Sequence, residues 1–208
     1  ISNIQSRSIE LSLLLSIPAC LGLILASEEI VNALFGYGSF TTENVILTAS
    51  ALKYFGYGIP AFALVKILSN FFFARSNTKI PFYISSLIVF TNILISVSLF
   101  DKLGFIIIPI ATSISTWIGV FIYIYLLYNK GFLLLKDYLF KNVLKIILST
   151  IIMSFILLFS LQFFSEYLEY SYKYKSFYLL IIVSFVAGFY LISCYLSGVL
   201  RKENFKTN

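Results

Sequence analysis

Apolar residues run through this chain in blocks about twenty residues long, separated by short polar breaks. Six blocks stand out, at 8–26, 49–73, 80–100, 104–128, 143–164 and 177–200. A helix that crosses a bilayer needs about 20 mostly apolar residues. The blocks hold many β-branched residues, but they are too long for strands and lack strict alternation. A helix is the open-ended element that satisfies its own backbone in lipid. The pattern therefore predicts an all-α, polytopic membrane protein with six transmembrane helices.

The breaks carry a second layer of pattern. Residues 129–142 mix apolar and charged positions, and 132–140 reads as a short helix on the inner membrane surface. Between 28 and 40, Ile30, Val31, Leu34 and Phe35 recur at helical spacing until Gly36 and Gly38 end the run. All four prolines precede residue 129. Pro81 and Pro109 fall near helix starts, where proline is tolerated. Pro18 and Pro60 fall inside spans, where a lost N–H obliges neighbours to satisfy the freed carbonyl. The first four spans thus read as a deformable, packed core, and the last two as straighter additions. The chain opens at Ile1 with no signal peptide before the first span, which predicts a piece of a longer protein.

Six spans put both ends on one side. Arg7, Arg75, Lys79, Lys130, Lys136, Lys141, Lys145, Arg201, Lys202 and Lys206 share that side, against Lys53, Lys102, Lys173 and Lys175 on the other. The excess of Lys and Arg predicts cytoplasmic termini. Composition agrees with this solvent: 60% of residues are hydrophobic, 12% are charged, and mean hydropathy is +0.95. The net charge of +6 sits in the breaks, which suits anionic lipid head groups rather than nucleic acid.

Little here resembles enzyme equipment. Histidine is absent, and both cysteines, Cys20 and Cys194, lie inside apolar runs without metal-ligand spacing. Asp101 and Asp137 fall in breaks, so no intramembrane carboxylate pair is expected. Lys66 is the charge deepest in a span. It either faces a cavity that takes an anion or snorkels towards the inner surface. Arg75 and Lys79 flank a tight turn, as orientation charges or as cations beside a phosphorylated head group. Asn92, Ser96, Thr112, Ser113 and Ser115 place polar groups in spans three and four, for interhelical hydrogen bonds or for an ion or substrate site. Trp117 suits packing or an interfacial belt.

Three motifs in series resemble one family. They are Leu34-Phe-Gly-Tyr-Gly-Ser-Phe-Thr41, then Ala51-Leu-Lys-Tyr-Phe-Gly-Tyr-Gly-Ile-Pro-Ala-Phe-Ala-Leu-Val-Lys-Ile-Leu68, then Phe73-Ala-Arg-Ser-Asn-Thr-Lys-Ile-Pro81. Their order and spacing resemble the C-terminal half of the MurJ (MviN) lipid II flippases, within the multidrug/oligosaccharidyl-lipid/polysaccharide exporter superfamily. The resemblance implies spans nine to fourteen of a fourteen-span transporter. Residues 1–128 would then be the four-helix part of its second lobe, 129–142 a cytoplasmic linker helix, and 143–208 two accessory helices with a tail, bordering a groove for a long lipid. It implies a bacterial inner-membrane protein that moves lipid II outward by alternating access, with membrane lipids and the missing N-terminal half as partners. Another exporter of the superfamily, for polysaccharide lipids or drugs, is the alternative. Lys66, Arg75 and Lys79 match the family's substrate-side cations, while Asn77 stands where the family usually has Asp. No organic cofactor is implied. Coupling would come from a sodium ion or the membrane potential, and Asn92 and Thr112 match ion ligands, with Ser96 replacing an acid.

Overall fold

The computed structural model describes residues 2–200, so Arg201, Lys202 and Lys206 of the charge count lie outside the described residues. Eight α-helices follow one another: α1 (Ser2–Leu25), α2 (Ser27–Phe35), α3 (Thr42–Gly56), α4 (Ile59–Phe73), α5 (Lys79–Leu103), α6 (Ile107–Asn129), α7 (Asp137–Phe163) and α8 (Lys175–Leu196). The described residues form no strand. Five helical stretches are long and apolar enough to cross a membrane. The third, Lys79–Asn129, is 51 residues long. It folds back at Gly104, whose φ of 61° suits glycine. Asn92 of α5 bonds Thr112 of α6, and Gly119 faces Ile84 and Ile88, so α5 and α6 are an antiparallel hairpin. Five stretches thus make the six expected crossings.

The second span is not one kinked helix. It breaks at Tyr57–Gly58, and Pro60 stands in the first turn of α4 rather than in a helix interior. There its missing N–H costs nothing, because first-turn donors have no helical partner. The break leaves carbonyls without helical donors, and α6 supplies them. Ser113 Oγ donates to the Tyr54 carbonyl at 2.7 Å, and the Trp117 indole N–H donates to Tyr57 at 3.0 Å. Gly58 permits this approach, since a Cβ there would sit 2.7 Å from Phe62 Cζ and 2.8 Å from Ser113 Oγ. Trp117 therefore mends a backbone break, a role beyond the packing or interfacial one read from sequence. Pro18 lies inside α1 as expected. The Leu14 carbonyl, four residues back, accepts from the Tyr190 hydroxyl of α8 at 2.7 Å.

Two apolar clusters share α1. Leu14 joins Ile146, Met153, Leu157, Ile182, Val186 and Tyr190 of α7 and α8. Ile9 joins Leu64, Leu68, Phe72, Ile84, Val120 and Tyr123 of α4, α5 and α6. A helix buried on two sides cannot be amphipathic, and α1 carries apolar residues all round.

The expected surface helix over 132–140 does not form. Gly131 (φ 64°) closes α6, and the next residues run extended to Asp137, which opens α7. Side chains of α1 hold that strip straight: Gln5 Nε2 donates to the Phe132 carbonyl, Gln5 Oε1 accepts from Leu134 N, and Ser6 Oγ accepts from Lys136 N. Asp137 in the first turn of α7 suits the helix dipole. A buried carboxylate also escaped the sequence reading. Glu10 is fully buried on α1 and pairs with Arg7 one turn earlier.

At the opposite end, α2 does form over part of the segment read as helical. Lys175, counted as a loop charge, is fully buried there. Its ammonium donates to Asn32 Oδ1 (3.0 Å), Gly36 O (2.6 Å) and Tyr170 O (2.7 Å), and the Tyr37 and Tyr170 rings stand 4.3 and 4.6 Å from it. Three N–H groups thus meet three acceptors. Replacing Lys175 by Met leaves those acceptors buried and unpaired, at a cost of about 2–4 kcal/mol. Lys173→Met, two residues away and exposed, is expected to stay within ~0.5 kcal/mol of the parent. Unfolding of the purified chain in mixed micelles checks both.

Candidate functional site

The three cations expected to meet substrate occupy three different settings. Lys66 is exposed on α4, on the face that carries Phe62 and Asn70 and turns away from α1 and α6. Lys79 begins α5 and lines a shallow depression with Thr78, Phe82 and Tyr83. Arg75 is half-buried and engaged: its guanidinium donates to the Phe71 carbonyl at 2.7 Å and to Phe132 O at 3.4 Å, and lies 4.4 Å from the Phe132 ring. Arg75 thereby clamps the strip after α6 against the end of α4. Its geometry is that of a brace, and its planar fork and stacking explain why arginine rather than lysine stands there.

The turn between Arg75 and Lys79 follows from helix-end chemistry. Asn77 N–H bonds the Phe72 carbonyl and Ser76 N–H bonds Phe73. This is the paired closure of a Schellman end, with Ser76 at the left-handed position (φ 55°). α6 and α8 end on the same pattern, with Gly131 (φ 64°) and Gly198 (φ 81°) at that position. Asn77 Oδ1 then accepts from Ile80 N at 3.2 Å, capping the start of α5. Asn and Asp cap equally well, so Asn77 keeps the turn even though the charge is absent.

Asn92 and Thr112 do come together. Asn92 Nδ2 donates to Thr112 Oγ1 at 2.8 Å, and that hydroxyl donates to the Ile108 carbonyl at 2.8 Å. Ser96 Oγ, one turn along α5, is buried without a hydrogen-bond partner among the described residues. In this conformation the three groups are neutral, and the Asn92 amide turns its N–H rather than its oxygen to Thr112, so the pair serves as an interhelical hydrogen bond.

Two cavities complete the geometry. One of about 430 Å³ lies between α1, α7 and α8, walled by Leu15, Pro18, Met153, Leu157, Val186 and Tyr190 among others, nearly all carbon. The other, about 240 Å³, lies at the α2 end beside Glu28, Glu29, Asn32, Glu169 and Tyr170. There burial pushes the Glu29 carboxyl up, although its own backbone N–H opposes this.

Comparison with known proteins places this architecture. A family model described as lipid II flippase MurJ matches residues 1–183. The chain belongs to the MurJ family. A probable lipid II flippase MurJ of Rhizobium tropici is 38% identical over 132 residues, 64% of this chain and 25% of that protein. The Rickettsia prowazekii counterpart is 39% identical over 115 residues, 55% of this chain and 23% of its own. A solved structure titled lipid II flippase MurJ, inward closed conformation, superposes with a TM-score of 0.75 at 26% identity. It covers 97% of this chain and 39% of its own. The chain therefore spans about a quarter of the length of the curated MurJ relatives it matches.

A groove beside the last two spans was expected only through the family resemblance, and the brace at Arg75 was not legible. Apolar residues that line a cleft cannot be told by type from those that fill a core. Ser76 holds a left-handed backbone (φ 55°) that favours glycine. Ser76→Gly is expected to stabilise the fold by roughly 1 kcal/mol, since glycine enters the left-handed region freely. Gly131→Ala should cost a similar amount, and denaturant titration of each variant reads both.

Proposed function

We propose that this chain is the C-terminal part of a lipid II flippase, moving undecaprenyl-pyrophosphate-linked peptidoglycan precursor outward across a bacterial inner membrane by alternating access. The observation that carries this reading is the combination of family membership with an apolar cleft of about 430 Å³ beside the last two spans. A long isoprenoid tail already lies in hydrocarbon, so it enters carbon-walled space at little cost and leaves no polar group unpaired there. The exposed face of α4 with Lys66, and the exposed length of α5, are assigned to the rest of the transporter and to the substrate's pyrophosphate. The membrane potential is the proposed coupling: outward passage of each negative charge gains about 2.3 kcal/mol per 100 mV. The linker, the four-helix part and the two accessory helices are proposed to serve as one lobe with its tail-binding annex.

Orientation is testable first. The inner-face loops, carrying the Lys and Arg excess, are assigned to the cytoplasm. A cysteine at Ser2 should resist a membrane-impermeant maleimide in intact cells, while one at Lys102 should react. The reverse pattern inverts the topology.

Lys66 tests the substrate reading. In a transporter that contains this chain, Lys66→Ala is expected to impair growth in a flippase-depleted strain, and Lys102→Ala to leave it normal. A cation near the membrane interior acts on pyrophosphate through low dielectric, whereas an aqueous one is screened. Normal growth with Lys66→Ala at equal membrane abundance would leave Lys66 a snorkelling residue.

A further inference from the structure

Three observations meet at the middle of α1. Pro18 has no N–H, so the Leu14 carbonyl lacks the donor that a helix normally supplies. The Tyr190 hydroxyl of α8 donates to that carbonyl at 2.7 Å, with both residues buried. Leu14, Pro18 and Tyr190 all line the apolar cavity between α1, α7 and α8. The bond therefore forms part of the cavity wall.

We infer that Tyr190 is a latch: its hydroxyl, held by the carbonyl that Pro18 frees, fixes the separation of α1 and α8 and so sets the width of the apolar cleft. The other lining groups named above are hydrocarbon. Their contacts are non-directional, and helices held by such contacts alone slide with little penalty. A hydrogen bond in this setting is directional, and lipid offers neither partner a substitute. The remaining polar ties of α8 run elsewhere. Lys175 and Ser176 hold α2, and Ser193 Oγ donates to Ser149 Oγ of α7 at 3.0 Å. Tyr190 is thus the polar contact that reaches the α1 backbone directly. Pro18 plays the complementary part, since an ordinary residue at 18 would return the carbonyl to its own helix. The latch is a positioning device and touches no reacting atom.

This inference rests on the tail-binding reading only for what occupies the cleft. The test uses the whole chain in lipid nanodiscs, with Cys20 and Cys194 replaced by Ala and spin labels at Leu15→Cys and Leu191→Cys on the two lips. Tyr190→Phe is expected to broaden the distance distribution and to raise the unfolding equilibrium constant about tenfold. In a Pro18→Ala background the same substitution should change either quantity by less than about twofold, because the helix then supplies its own donor. An unchanged distribution with Tyr190→Phe alone, or equal effects in the two backgrounds, overturns the latch. Photocrosslinking with a diazirine-bearing polyprenyl phosphate separates the two proposals. Crosslinks at Leu15 and Leu191 that increase with Tyr190→Phe support both. Absent crosslinks beside a broadened distribution remove the tail reading and leave the latch standing.

Discussion

A carbonyl in lipid must find a donor within the protein, and most of the packing described above follows from that requirement. Sequence breaks free three carbonyls, at Leu14, Tyr54 and Tyr57. Each is met by a side chain from a different helix: Tyr190, Ser113 and Trp117. Those bonds fix which helices are neighbours. Tyr190 brings α8 to α1, while Ser113 and Trp117 seat α6 in the bend between α3 and α4. Apolar burial alone would not choose among these arrangements, because lipid tails are as apolar as leucine.

The ends of the helices obey the same requirement by other means. On one face, three helices close with paired backbone bonds around a left-handed residue, and Lys145 adds its ammonium to the Ser197 carbonyl at 2.9 Å. A cation at a helix C-terminus also complements the dipole. On the other face, Lys175 gathers the carbonyls of Gly36 and Tyr170 together with Asn32, tying α2 and the α7–α8 connection to α8. Aromatic rings pack around that knot, with Tyr167 stacked on Tyr178 at 4.6 Å. That end of the molecule is therefore polar at its centre and aromatic at its rim.

How much of this was legible depends on the kind of signal. Span number and helix type follow from block length and apolar content, and both were readable. The Pro18 interruption was readable as an obligation on some neighbour, but the neighbour was not: Tyr190 lies 176 residues away. The strip 132–136 was misread because residues 132–140 together mix apolar positions with charges, as a surface helix does. What straightens it is Gln5 and Ser6 on another helix, and no local window contains them. Glu10 went unread and Lys175 was placed in a loop for a related reason. A charge near a span end is ordinarily solvated, and only tertiary partners make it a buried one. Among candidate site residues, Asn92 and Thr112 were read as polar groups for interhelical hydrogen bonds or, through the family resemblance, as ion ligands, and they meet in a hydrogen bond. The brace made by Arg75 was not, since its acceptor at Phe132 sits beyond two further helices.

The sharing of α1 between two apolar clusters has a consequence for biogenesis. Within this stretch, α1 is completed by helices that follow it by more than a hundred residues. At synthesis rates of about 5–20 residues per second, the stretch between Leu14 and Tyr190 takes roughly 10–35 s to emerge. During that interval α1 waits in the bilayer with one flank dressed by α4 and the other exposed to whatever the insertion machinery offers. Sequence-distant closure of this kind is slow and open to wrong pairing. A nascent chain of this design leaves the Leu14 carbonyl without its donor until the helix that carries Tyr190 has entered the bilayer.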